Sequence, residues 1–163
     1  MSSPMIHIRA LGKHVALIVV ALLLVYVGRS FSCTQVDADF TAMRPEIDNS
    51  ETLLIDRRAP RAGKLRRGDN ICFTFASGSK ELTWAGCVAA VQGQTFEVKG
   101  RALTVSGKRY GARRVPSIGK FDTPPILVPR GYVLVTFNKP PKLVKRIDQH
   151  LVRITAIKGR IIR

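Results

Sequence analysis

Thirteen consecutive residues without a charge, Val15 to Val27, divide this chain of 163 residues into a short head and a long remainder. Such a run is not stable in water, so it must be removed, buried or placed in a membrane. Thirteen residues fall short of the roughly 20 that span a bilayer and fit the apolar centre of a secretory signal. Adding Ala10–Gly12 and Gly28–Cys33 lengthens the run, with Lys13 and Arg29 snorkelling towards the interfaces. Ser30 and Ser32 offer the small residues of a cleavage site, so both an anchor and a removable signal are open. Arg9 and Lys13 precede the run, which puts the N-terminus in the cytoplasm and the remainder outside. The expected division is therefore a cytoplasmic head over 1–14, a membrane anchor or signal sequence over 15–32, and one folded domain over 33–163.

About 130 residues suffice for one hydrophobic core. From Arg57 onward there are 23 basic against 5 acidic residues, so nearly all the positive excess lies in the domain. A field of that sign attracts polyanions, either nucleic acid or anionic headgroups. Trp84, Tyr132 and most of the phenylalanines fall inside apolar runs and are not interleaved with Lys and Arg, which speaks against a base-stacking surface. Cys33, Cys72 and Cys87 lack metal-ligand spacing, and His7, His14 and His150 are scattered, so no metal or other cofactor is expected. Cys72 and Cys87 lie in short apolar runs that suit neighbouring strands, leaving a bridge or two free thiols equally open.

No segment of the domain sustains a 3.6-residue apolar period. Short alternating or aliphatic runs recur instead: Leu53–Ile55, Asn70–Phe75, Leu82–Val91, Thr95–Val98, Ala102–Val105, Ile126–Phe137 and Ile157–Ile162. Turn residues separate them, with Gly100 and Gly107 bracketing a hairpin strand. Thr34–Phe40 reads as a polar link, Arg58–Asp69 and Tyr110–Pro124 as loops, and Ala76–Glu81 as a turn. The domain is expected to be all-β and antiparallel.

Four of these segments, in this order, resemble the conserved segments of type I signal peptidases. Thr41–Arg57 is similar to the family's nucleophile segment, Ser-Met-x-Pro-Thr-Leu followed by Gly-Asp, a short aliphatic strand and an acidic-basic pair. Met43, Pro45, Leu54, Asp56 and Arg57 match it, and Ile47, Glu51, Leu53 and Ile55 replace like with like. Arg67-Gly68-Asp69 resembles the basic-Gly-Asp triplet before the next strand. Gly86–Val98 resembles the segment that carries the family's general-base lysine. Val128-Pro-Arg-Gly-Tyr-Val-Leu-Val135 resembles the last major strand. The resemblance covers about residues 15–163 and implies an antiparallel signal-peptidase-like β domain behind a single N-terminal transmembrane or signal-anchor helix.

It also implies what is missing. The serine position holds Ala42, and the register that places Gly93 on the family glycine puts Gly86 at the lysine position. A Ser/Lys dyad needs a hydroxyl to attack the amide and a neutral amine to take its proton. Ala42 and Gly86 supply neither, which points to a degenerate centre. Of the supporting polar shell, Asn138 and Arg146 remain, while Thr136-Phe137 replaces Gly-Asp. The peptide groove implied by the family would be lined by Met43, Pro45, Ala85 and Ala89, whose neighbours leave room for an added strand. The function so implied is binding of extended segments of exported or pilin-like polypeptides, or of a secretion or conjugation partner, at the outer face of the bacterial inner membrane. The competing readings are an active, divergent serine endopeptidase and a basic β-domain for nucleic acid or anionic lipid.

Overall fold

The structure, a computed structural model, describes residues 5–37, 43, 47–48, 50–61, 63–77, 80–100, 102–109, 122–138 and 146–162. Helix α1, Met5–Ser30, takes up the apolar run. Leucine, alanine and valine continue through it with no proline, and a strand begins at the residue after Ser30. Its large side chains between Val15 and Val27 are exposed all round, at 44–67%. Among the described residues no helix is long and apolar enough to cross a membrane.

The remainder is mostly β, as its alternating runs imply. The strands are β1 Phe31–Gln35, β2 Thr52–Asp56, β3 Asn70–Ser77, β4 Lys80–Val91, β5 Thr95–Lys99, β6 Ala102–Val105, β7 Lys108–Arg109, β8 Thr123–Leu127, β9 Tyr132–Thr136, β10 Leu151–Arg153 and β11 Ile157–Ile161. They form a seven-stranded sheet, β1-β2-β11-β3-β4-β9-β10, and a four-stranded sheet, β7-β6-β5-β8. Every pairing is antiparallel.

β4 and β9 position everything else. Successive side chains on a strand face opposite ways, so a strand buried on both faces can serve two cores. On β9, Val133 and Val135 enter a large core with Met43, Ile55, Ile71, Phe73 and Trp84. Leu134 enters a second core with Phe96, Val98, Leu103 and Val105. β4 does the same, giving Ala85 and Val88 to the first core and Ala89 and Ala90 to the second. An irregularity between Val88 and Ala90, where the β4–β9 register shifts, makes the crossover.

Several expectations change in detail. The polar link after Cys33 begins in strand, at Thr34 and Gln35: Phe31–Gln35 pairs with Thr52–Asp56 from Phe31↔Asp56 to Gln35↔Thr52. The turn over 76–81 is shorter, because the β3–β4 ladder runs on to Ser77↔Lys80. The Ile126–Phe137 run is broken by a turn at Pro129–Gly131, where Tyr132 N–H reaches Pro129 O at 3.2 Å and Gly131 has φ +82°. The Arg58–Asp69 loop holds a short helix, α2 Arg58–Arg61, with Ala59 and Pro60 buried. Most of the Tyr110–Pro124 loop lies outside the described residues.

The three cysteines are free thiols. Cys72 sits opposite Ala85 and Cys87 opposite Asn70, two residues apart in register. Burial pushes the Cys72 thiol up to about 11, against a smaller opposing pull from the Lys158 charge.

Candidate functional site

Three of the four family-like segments meet at β4, and the first lies beyond β3 and β11, at β2. The Arg67-Gly68-Asp69 triplet docks against its far end: Gly68 N–H donates to Val88 O and Val88 N–H to Asp69 O, both at 2.8 Å. The Asp69 carboxylate meanwhile accepts Arg66 N–H at 2.8 Å and closes the turn. Gly93, at φ +80°, turns the chain out of β4 and donates to Val128 O at 3.0 Å, joining the third segment to the fourth. Where the resemblance puts aspartate, Gln94 keeps an acceptor for the turn, its Oε1 taking Val91 N–H at 3.0 Å. Gln92 Oε1 accepts Gly131 N–H at 3.1 Å. These departures therefore preserve the turns.

Ala42 and Pro45 lie outside the described residues. Met43, between them, is fully buried, and its carbonyl accepts Ile47 N–H at 3.1 Å and Asn138 Nδ2 at 2.9 Å. Asn138 thus holds the segment that carries position 42. Arg146 does something else. It is exposed and pairs with Asp148 at 3.1 Å across largely solvated side chains, an arrangement of small energetic value.

Gly86 faces Ile71 across the β3–β4 ladder. A Cβ on it would lie 2.3 Å from Val135 Cγ1, 3.2 Å from Thr136 O and 3.3 Å from Phe137 Cε1. The position that the resemblance assigns to a lysine therefore has no space for any side chain. Phe137 fills the volume, packed against Phe73 at 6.3 Å, Trp84 at 5.9 Å and the His150 ring at 5.6 Å between centroids. Thr136, also buried, donates from Oγ1 to Cys87 O at 3.3 Å. An aromatic cluster thus stands where a dyad would need a base.

Met43, Ala85 and Ala89 are 0–1% exposed, and Ala89 belongs to a different core from the other two. The structure does not bring them together as the lining of an open groove. The small volumes of Ala85 and Ala89 fit the close approach of β4 to its neighbours.

Two buried polar residues have partners that the sequence reading did not give them. His150 is fully buried at the end of a 3-10 turn, Ile147–His150, and its Nδ1 lies 2.9 Å from Val135 O. A carbonyl can only accept, so Nδ1 carries the proton. Burial pushes the imidazole below its ordinary value of 6.5, with the Val135 hydrogen bond pulling weakly the other way. Unfolded chains then bind a proton that the fold rejects, so His150's contribution is complete above about pH 6.5 and is lost as pH falls below it. Stability measured by urea titration should fall by up to about 1.4 kcal/mol per pH unit in that window. His150→Gln, which keeps a donor for Val135, should flatten the slope; an unchanged slope would exclude His150 as its source.

Asp56 is the other. The sequence pattern pairs it with Arg57, but its Oδ1 accepts Arg58 N–H at 2.9 Å and Arg58 Nε at 3.2 Å, and its Oδ2 lies 3.5 Å from Arg160. Burial alone would raise this carboxyl. The Arg58 backbone and side-chain hydrogen bonds, with the Arg58 and Arg160 charges, outweigh it and hold Asp56 below the usual carboxylate range.

Comparison with known proteins agrees with this arrangement. Residues 11–136 match the family model described as signal peptidase, peptidase S26. A similar curated protein is Signal peptidase I P of Bacillus subtilis subsp. natto, 29% identical over 93 residues, which is 57% of this chain and 49% of that protein. The chain thus matches about half the length of that relative.

Proposed function

Given that this chain belongs to the signal peptidase family, peptidase S26, we propose that it is a membrane-anchored member that holds exported polypeptides without cleaving them. One observation carries the non-cleaving part of the reading. The space at Gly86 is occupied by Val135 and Phe137, so no side chain at that position can serve as a base. The residue at the serine position, Ala42, has no nucleophile either. Amide cleavage by this family's chemistry needs both groups in hydrogen-bond reach, and loss of one member of such a unit usually costs several orders of magnitude in rate.

The anchor reading rests on α1. A helix that is apolar all round is stable only inside protein or lipid, and its large side chains from Val15 to Val27 are uncovered. Arg9 and Lys13 then keep the N-terminus cytoplasmic and set the β domain at the outer face of the inner membrane. Partners in this reading are extended segments of exported or pilin-like polypeptides, including components of a secretion or conjugation apparatus. Nucleic acid fits less well: Trp84 is buried, and Phe75 stacks on it at 4.0 Å, so that pair is not a platform for bases.

The test is incubation of the full chain in detergent with a precursor carrying a signal peptide, beside an active signal peptidase. The expected result is co-purification of intact precursor with the wild type and with Ala42→Ser, and cleavage by neither. Cleavage by the wild type would sink the non-cleaving reading and favour a divergent peptidase. Absence of any retained precursor would remove the binding role.

A further inference from the structure

A second site lies away from Gly86, at the foot of α1. It is an open depression of about 490 Å³ between α2, β3, the 3-10 turn Ile154–Ala156 and the start of β11. Arg57, Arg61 and Lys158 line it, with Thr74 and Thr155, and among the described residues no acidic residue does so. Among those residues the charges there are uncompensated. Asp56, the nearest carboxylate in sequence, already serves Arg58 and Arg160. Neither Arg57 nor Arg61 has an ion-pair partner among the described residues. Lys158 is steadied by donating Nζ to Thr83 Oγ1 at 2.6 Å, which leaves two of its three protons to offer.

Three unpaired cations around one concavity repel one another, an arrangement that a bound anion relieves. Guanidinium forks match phosphate oxygens in pairs, and hydroxyls complete the shell. The position selects the source of the phosphate. Arg57 N–H donates to Ser30 O, the last residue of α1, at 2.9 Å. The next residue, Arg58, lies over the Tyr26 and Phe31 rings at 5.5 and 5.0 Å from their centroids. The depression therefore opens beside the end of the apolar helix, the depth at which lipid phosphates lie when such a helix is in a bilayer.

We propose that Arg57, Arg61 and Lys158 form a binding site for the phosphate of an anionic phospholipid headgroup, clamping the β domain to the outer leaflet. The proposal rests on the anchor reading for its depth, and its test separates the two. The full chain in neutral detergent is titrated with short-chain phosphatidylglycerol, short-chain phosphatidylcholine and inorganic phosphate, and bound adducts are counted by native mass spectrometry. Expected is one saturable phosphatidylglycerol, no phosphatidylcholine, and no displacement by an equal concentration of inorganic phosphate.

Arg57→Gln with Arg61→Gln should weaken phosphatidylglycerol about thirtyfold. Lys108→Gln with Arg109→Gln, the same charge change on exposed β7, should leave it unchanged. Arg57→Lys with Arg61→Lys, which keeps the charge, should recover part of the affinity. Equal losses in the two glutamine pairs, or no loss in the first, would overturn the site in favour of a general basic surface. Equal binding of phosphatidylcholine would also overturn it, and full displacement by inorganic phosphate would replace the lipid by the free anion. Alkaline extraction of the same chain from membranes reads the anchor alone: release into the supernatant would end the anchor reading while leaving a positive lipid titration intact.

Discussion

Gly86→Lys abolishes the cooperative thermal transition of the β domain. The substitution that puts a lysine where the resemblance places the family's base is expected to be among the most damaging in the chain. A Cβ already falls 2.3 Å from Val135 Cγ1, well inside contact distance, and the branched valine on β9 cannot swing aside as a long chain could. Overpacking of this kind costs about 1–3 kcal/mol before the rest of the side chain is considered. The amine would then be buried among Phe73, Trp84 and Phe137 without a carboxylate, adding several kcal/mol or forcing the strands apart. Against the roughly 5–15 kcal/mol that hold a domain together, the sum leaves little. Gly86→Ala separates the terms: it should cost about 1–3 kcal/mol, and Val135→Ala in the same chain should return part of that. Circular dichroism melts of the three variants decide it. A wild-type melt for Gly86→Lys would mean that the space at this position is not closed.

Phe137→Ala should destabilise the domain by about 3–5 kcal/mol, the range for emptying a buried aromatic site. Phe137 is 1% exposed and joins β9 to Phe73, Trp84 and His150, so none of its neighbours can reach solvent by collapsing. The same variant opens volume beside Gly86, and it should therefore soften the penalty of Gly86→Ala, giving a coupling of about 0.5–3 kcal/mol in a double-mutant cycle. Strict additivity of the two losses, measured by urea unfolding, would show that Phe137 does not close the Gly86 site.

The parts of this architecture that were legible in the sequence are local ones. Strands β3, β5, β6 and β11 announce themselves by alternation, and the first three also by flanking glycines, because a side chain's facing and a turn's φ depend on a few neighbours. Gly93, Gly100, Gly107 and Gly131 all take the positive φ that their turns require. Ala42 and Gly86 are read directly from the sequence, and the resemblance alone assigns them to the serine and lysine positions. Hidden in the sequence was whatever depends on contacts far along the chain. That Asp56 chooses Arg58 and Arg160 over its neighbour Arg57 follows from β11 pairing beside β2, at Arg160↔Asp56. That Phe137 occupies the space beside Gly86 follows from the β4–β9 register, Cys87↔Thr136. His150 sits 15 residues from its hydrogen-bond partner, and no spacing rule connects them. The small residues Ala85 and Ala89 read equally well as a groove or as tight packing, because alanine suits both; burial decides for packing in this structure.

Helix α1 ends at Ser30 and β1 begins at Phe31, so the joint contains no tether at all. A flexible linker of n residues lets a domain wander over roughly 5–6 Å times the square root of n. Here that reach is zero, and the Arg57–Ser30 hydrogen bond and the Arg58 contacts with Tyr26 and Phe31 lock the elbow further. The β domain consequently inherits the tilt and azimuth of the helix. On the proposed function, such a joint makes the protein a fixed post rather than a tethered searcher.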